Sequence, residues 1–157
     1  MQLRQIYKNL SISFLGAGIS LLCIVLITIF SKSHITPQNF EIISPVENYT
    51  KSLITYANDL RMILTFDNIF VVLYTAGFTF LFMALSYKEK AVNIIVGFIA
   101  VLATALLDFY ENHHILTFIT TAEKGIPVNI DEISNQMTLS QLKFHLSYLS
   151  FFLFAFS

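Results

Sequence analysis

Charged residues are scarce in this sequence, and their scarcity excludes an ordinary soluble domain. Only 12% of the 157 residues are charged, whereas 55% are hydrophobic and 15% are aromatic. A soluble domain carries roughly a quarter charged residues. A water-soluble chain of this length cannot bury so much apolar surface in its core. The composition therefore predicts a protein of the lipid bilayer.

The sequence also has few cysteines and no excess of basic residues, which excludes disulfide-rich, thiol-redox and nucleic-acid-binding proteins. Cys23 is the single cysteine, so the chain has no disulfide framework, no CxxC redox pair and no thiolate metal cluster. The net charge is −1, which leaves no basic excess to hold a phosphate backbone. Nucleic acid is therefore not expected as a partner, whereas the lipid bilayer is.

Long apolar runs are what the sequence has instead, and a spanning helix needs about 20 such residues. The four runs cover residues 10–30, 62–86, 91–110 and 139–157. The first run is longer than a signal-peptide core and no small-x-small cleavage site follows it, so we interpret it as a retained helix. Thr138 and Gln141 have the spacing of a capping box, which predicts the start of the fourth helix there. The predicted fold is a single all-α domain, an integral membrane bundle of four transmembrane helices.

Lysine and arginine residues predict how the bundle is oriented. Arg4 and Lys8 precede the first span, while Lys88 and Lys90 lie in the tight turn between spans two and three. Basic residues concentrate in short cytoplasmic loops. The N-terminus is therefore expected in the cytoplasm, with both long loops outside.

The first outer loop contains a segment with helical periodicity. Between Tyr49 and Leu64 the apolar residues recur three or four positions apart, with polar residues such as Asn58 on other faces. This pattern predicts a short amphipathic helix at the outer surface of the membrane. The second outer loop should continue helix three and then break near Gly125 and Pro127.

Polar residues occur at a similar depth in three of the predicted spans, near the outer surface. Alternating spans bring together the start of span two, the end of span three and the start of span four. The candidate binding residues at these positions are Asp67, Asn68, Tyr74, Asp108, Glu111 and Lys143. An ionisable side chain costs at least about 2.5–3.5 kcal/mol at the centre of a membrane helix, so these residues should face inward and pair. We expect Lys143 to neutralise one or two of the carboxylates.

Helical spacing supports this inward arrangement. Asp67 and Tyr74 are seven residues apart and share one face of span two. Span one has no polar stripe, but its small residues Gly16, Ala17 and Ser20 permit another helix to approach closely. The polar stripes of the other spans are expected to meet in the bundle.

A metal site is a further hypothesis. Glu111 and His114 form an E-x-x-H pair, which supplies two ligands in carboxylate-bridged metal sites of helical bundles. Such sites need a second copy on another helix, and the sequence has none. A mononuclear site would combine Asp108, Glu111, His114 and His145. Without a metal, Asn112, His113 and His114 are interpreted as ordinary residues at the membrane surface.

Three functions fit these residues. The first is a small polytopic membrane protein whose polar pocket near the outer face binds a small cation, a proton or a lipid headgroup, with Asp67, Asp108 and Glu111 as anionic ligands. The second is a membrane-embedded enzyme, with or without a metal, that acts on a lipid, although GxSxG, HExxH and phosphate-loop motifs are absent. The third is a structural subunit, in a homo-oligomer or beside a partner membrane subunit, in which the polar cluster only fixes helix register.

Overall fold

The computed structural model describes residues 2–31, 36, 46–87 and 92–156, and within these ranges the fold is all helical. The described helices are α1 (Leu3–Phe30), α2 (Val46–Thr55), α3 (Ala57–Ser86), α4 (Val92–Glu123) and α5 (Ile130–Ala155). The predicted all-α class is confirmed. The turn that contains Lys88 and Lys90 lies outside the described residues, and the cytoplasmic N-terminus stays a prediction.

Three helices in the described part of the chain, α1, α3 and α4, are long and apolar enough to cross a membrane. The mean hydropathy of their most apolar stretches is 2.5, 2.1 and 2.2, and at most 33% of such a stretch is buried within the protein. Apolar helices that leave most of their surface uncovered need lipid around them. The chain is therefore a membrane protein. The fourth predicted span falls on α5, which is more polar and is not among these three.

The long helices pack in a row: α1 lies against α3, α3 against α4 and α4 against α5. Small residues bring α1 and α3 together, as predicted. Ala17 and Ser20 are buried, and a methyl group on Gly77 would lie 2.9 Å from the ring of Phe14. By contrast, α1 and α5 form no extensive interface.

A hydrophobic cluster, here called the helical cap, joins α2 to the start of α3, the last turns of α4 and the start of α5. Its buried members are Tyr49, Leu53, Ala57, Leu60, Leu64, Ile115, Phe118, Ile119, Ala122, Val128 and Ile133. The predicted amphipathic segment at residues 49–64 is helical, but Tyr56 separates it into α2 and the start of α3. Its apolar face contacts other helices of the protein, as in the edge-to-face packing of Tyr49 on Phe118. The apolar face is therefore covered by protein, and the position of this segment at the outer membrane surface stays a prediction.

The predicted start of the fourth helix is wrong. α5 begins at Ile130, and the Asn129 side chain caps it by accepting a hydrogen bond from the Asp131 backbone N–H. Thr138 lies inside the helix and donates to the Ser134 carbonyl. A capping-box spacing is thus not sufficient to begin a helix where an earlier cap is available. The break after α4 is confirmed, since Gly125 has a φ of 72°.

Candidate functional site

The predicted ion-pair cluster is present around Lys143. Its Nζ atom lies 3.1 Å from Asp108 Oδ1 and also contacts Glu111 Oε2. Lys143 is 8% exposed and Glu111 is 4% exposed. Asp108 and Glu111 share one face of α4 because they are three residues apart. The ammonium group on α5 is therefore held between two carboxylates of the neighbouring helix.

Hydrogen bonds extend this cluster onto α3. The Tyr74 hydroxyl donates to Asp108 Oδ2 at 2.6 Å. The Asn112 amide donates to Asp67 Oδ2 at 2.7 Å and to Asn68 Oδ1 at 3.0 Å. The α3 residues among the candidates thus bind partners on α4. The inward orientation of Asp67 and Tyr74 is confirmed, and their role in binding stays a prediction.

Asn112 is the member of the cluster that the sequence interpretation missed. It was expected at the membrane surface, yet it is 3% exposed and joins α4 to α3. Its position, four residues after Asp108, places it on the same helical face and was the available signal. An amide that donates to two acceptors at once is well suited to hold Asp67 in place.

A cavity of about 590 Å³ lies beside the cluster, among α1, α3, α4 and α5. The polar part of its wall includes Asp67, Tyr74, Asp108, Glu111, Asn112 and Lys143. The apolar part includes Phe14, Leu21, Ile24, Phe70, Phe78 and Phe151. Asn68 does not line the cavity and joins the site through Asn112. The cavity therefore combines charged and hydrocarbon-like walls.

The charges on the polar wall do not balance. Asp67, Asp108 and Glu111 are three carboxylates, and Lys143 is bound to the last two of them. In the described ranges, no Lys, Arg or His lies within 4.0 Å of the Asp67 carboxylate. A carboxylate away from bulk water is costly without a cation or a proton. Either a cation or a proton at Asp67 would offset this cost.

No protein-family model, curated protein or solved structure matches this chain. The function is therefore inferred from the cluster and the cavity.

The histidines do not join the cluster. The His114 ring packs on Tyr110 and Phe118, with centroids 4.2 Å and 5.6 Å apart. The Nδ1 atom of His145 lies 2.7 Å from the carbonyl oxygen of Gln141 in its own helix. Nowhere in the described segments do three His, Cys, Asp or Glu side chains form a group that could hold a metal ion. Of the four candidate metal ligands, Asp108 and Glu111 meet at Lys143, whereas His114 and His145 lie away from them.

Buried polar groups continue from Lys143 toward the helical cap along α5. Ser140 and Gln136 are each 1% exposed, and Gln136 accepts a hydrogen bond from the Tyr49 hydroxyl at 3.1 Å. Burial raises the pKa of Tyr49, and the negative charge of Glu111 raises it further. Tyr49 therefore remains protonated at neutral pH and keeps its proton for Gln136. This hydrogen bond links the cap to the helix that carries Lys143.

Proposed function

We propose that this chain is a membrane protein whose cavity binds a cationic ligand at Asp67, with Asp108 and Glu111 contributing negative charge. The charge imbalance of the cavity wall carries the proposal, since three carboxylates face a single ammonium group. Charges attract more strongly in a low-dielectric site than in water. A second positive group, bound beside Asp67, would bring the net charge of the cluster closer to zero.

The size of the cavity favours an organic cation over a bare ion. Its volume is about 590 Å³, whereas one water molecule occupies about 30 Å³ in the liquid. Sites for organic ligands range over roughly 300–1,000 Å³. A metal ion or a proton would leave nearly all of this space to other occupants. An ammonium group supplies positive charge and donors, and the rest of the ligand would fill the apolar part.

The proposal includes α5 as a fourth membrane-embedded helix. Its surface exposes a band of large apolar side chains: Tyr148, Leu149, Phe151 and Phe152. Lys143 is buried and neutralised within the cluster, and the polar residues Gln141 and His145 are exposed on the same helix. The orientation predicted from Lys and Arg supports a position of the cluster in the outer half of the bundle. The ligand would accordingly reach the site from the outer side or from the bilayer.

Binding of a short amine tests this function. We expect butylammonium to raise the midpoint of thermal unfolding of the protein in a nonionic detergent, and uncharged butanol at equal concentration to leave it unchanged. Asp67→Asn should weaken butylammonium binding in titration calorimetry by about tenfold or more, because a charge-assisted hydrogen bond is lost. Its fold should persist, since Asn112 can still donate to the new amide oxygen.

The matched control is Asp131→Asn, the same change at an exposed position near the start of α5. Its affinity for butylammonium should equal that of the wild type. The proposal is overturned if the wild type binds the amine no better than the alcohol. It is also overturned if Asp67→Asn binds as tightly as Asp131→Asn.

A further inference from the structure

The cavity is lined on one side by α1 and α5, and these two helices form no extensive interface with each other. The interfaces of α1 with α3, α3 with α4 and α4 with α5 are all extensive. Side chains that line the cavity on both helices are also exposed at the protein surface, among them Leu21 on α1 at 48% and Phe151 on α5 at 63%. Because α1 is long enough to cross the bilayer, an opening beside its middle turns faces lipid chains. A ligand dissolved in the membrane can therefore reach the cavity without crossing the helical cap.

The wall of the cavity changes from charged to apolar along α3. Asp67, Phe70, Tyr74 and Phe78 follow one another at intervals of three or four residues and all line it. At 1.5 Å per residue, the distance from the first to the last is roughly 16 Å. Phe78 packs edge to face on Phe14 of α1, with ring centroids 5.5 Å apart. Such a space fits a molecule with a charged group at one end and a hydrocarbon chain at the other.

The charges at the polar end of the cavity favour some of these amphipathic molecules over others. The headgroup of a phospholipid would bring a phosphate close to Asp67, Asp108 and Glu111, while Lys143 is already bound to two of these. Like charges placed together in a site of low dielectric disfavour binding strongly. A primary ammonium carries one positive charge and three donors, and it adds no negative group. The polar end therefore suits an amine that has no phosphate.

We infer that the ligand is a long-chain primary amine that enters from the bilayer between α1 and α5. This inference rests on the proposed cation site and adds the hydrocarbon chain, the absence of a phosphate and the route of entry. The ammonium group binds Asp67, and the chain lies along the apolar wall toward Phe78. The far end of the chain passes Phe151 into the lipid.

The absence of tryptophan from the sequence allows a direct test of where the chain lies. Phe151→Trp places a fluorophore on the cavity wall, and Phe152→Trp places the same fluorophore on the neighbouring residue, which is exposed at 57% but does not line the cavity. Both replacements keep an aromatic ring at an exposed position, so both variants should fold. The probe is a dodecylamine brominated in mid-chain, which quenches tryptophan on contact, added to the protein in bilayer nanodiscs.

We expect the brominated amine to quench Phe151→Trp in a saturable way. Half of this quenching should be reached at a probe fraction about tenfold or more below that needed for Phe152→Trp. The reason is that a charge-assisted hydrogen bond to Asp67 adds to the partitioning of the amine into the bilayer. The matching brominated alcohol and alkyl phosphate should quench both variants equally. Adding Asp67→Asn to Phe151→Trp should abolish the difference. Equal quenching of the two tryptophans by the amine would overturn the inference, and so would preferential quenching of Phe151→Trp by the phosphate.

The experiments test the two proposals separately. If butylammonium binds through Asp67 but the brominated amine does not distinguish Phe151→Trp from Phe152→Trp, the long chain and the lateral entry are wrong and the cation site stands. If neither amine binds, both proposals are wrong.

Discussion

The helical cap and the cavity are built largely on the same helices, α3, α4 and α5, yet their interiors differ. In the cap, Leu53, Leu60 and Ile119 have no exposed surface, and apolar side chains meet without charged groups among them. The same helices further along surround a space of about 590 Å³ that is lined in part by carboxylates. Protein interiors normally close to crystal-like density. The contrast indicates that the cap holds the helices together, whereas the proposed function assigns the open cavity to a ligand.

The ion pairs of the two regions differ in how far they are exposed to solvent. Arg61 and Glu123 join α3 to α4 beside the cap through two hydrogen bonds of 2.8 Å and 2.6 Å, and each side chain is 39% exposed. The Lys143 cluster has less regular geometry but is buried. Exposed pairs contribute little to stability, whereas removing one partner of a buried pair leaves a charge unpaired. Burial should therefore decide which pair matters more.

The largest expected effect is that of Lys143→Met. The substitution leaves Asp108 and Glu111 side by side, away from water and without a cation. We expect the free energy of unfolding to fall by about 3–5 kcal/mol, the usual cost of breaking a buried pair. Denaturant titration in detergent, followed by circular dichroism, measures it.

Two variants accompany this measurement. Adding Glu111→Gln to Lys143→Met removes one of the two stranded charges and should recover part of the loss. Lys124→Met makes the same chemical change at an exposed residue after α4 and should be close to neutral. If Lys143→Met is itself neutral, the buried ion pair does not stabilise the bundle.

The next effect separates the cap from the cavity. Leu53→Ala removes a side chain with no exposed surface from the cap, and the cavity left behind should cost about 2–5 kcal/mol of unfolding free energy. Butylammonium affinity, measured below the unfolding transition, should stay unchanged because Leu53 does not line the cavity. The control is Ile54→Ala, since the next residue is 49% exposed. A parallel loss of affinity in Leu53→Ala would show that the cap also shapes the binding site.

Membrane physics explains why the site was more predictable than the cap. A charge inside an apolar helix is costly unless it faces inward, so the inward positions of Asp67, Asp108, Glu111 and Lys143 could be predicted from spacing alone. The expected ion pairs formed among the last three. No such rule says whether an amphipathic helix is covered by lipid or by protein, and the packing of Tyr49 and its helix on α4 depends on tertiary contacts.

Local signals also compete along α5. The sequence analysis predicted a cap at Thr138, whereas the structure uses Asn129, which lies nearer the end of α4. The observed helix therefore begins at Ile130, nine residues before the predicted first residue, Leu139. The cluster was unaffected, because Lys143 lies inside the helix with either start.

The smallest expected effect is that of Arg61→Gln, although the pair it removes has the more regular geometry. Water solvates Arg61 and Glu123 whether or not they are paired, so the unfolding midpoint should change no more than for Lys124→Met. Salt should distinguish the two ion pairs. Near 1 M salt, charges are screened over about 3 Å, so any remaining effect of Arg61→Gln on the unfolding midpoint should vanish. The loss caused by Lys143→Met should persist there, because a buried pair is screened far less. If Arg61→Gln lowered the free energy of unfolding nearly as much as Leu53→Ala, the geometry of an ion pair would matter more than its burial. Burial would then not explain why the Lys143 cluster and the Arg61–Glu123 pair differ in their effect on stability.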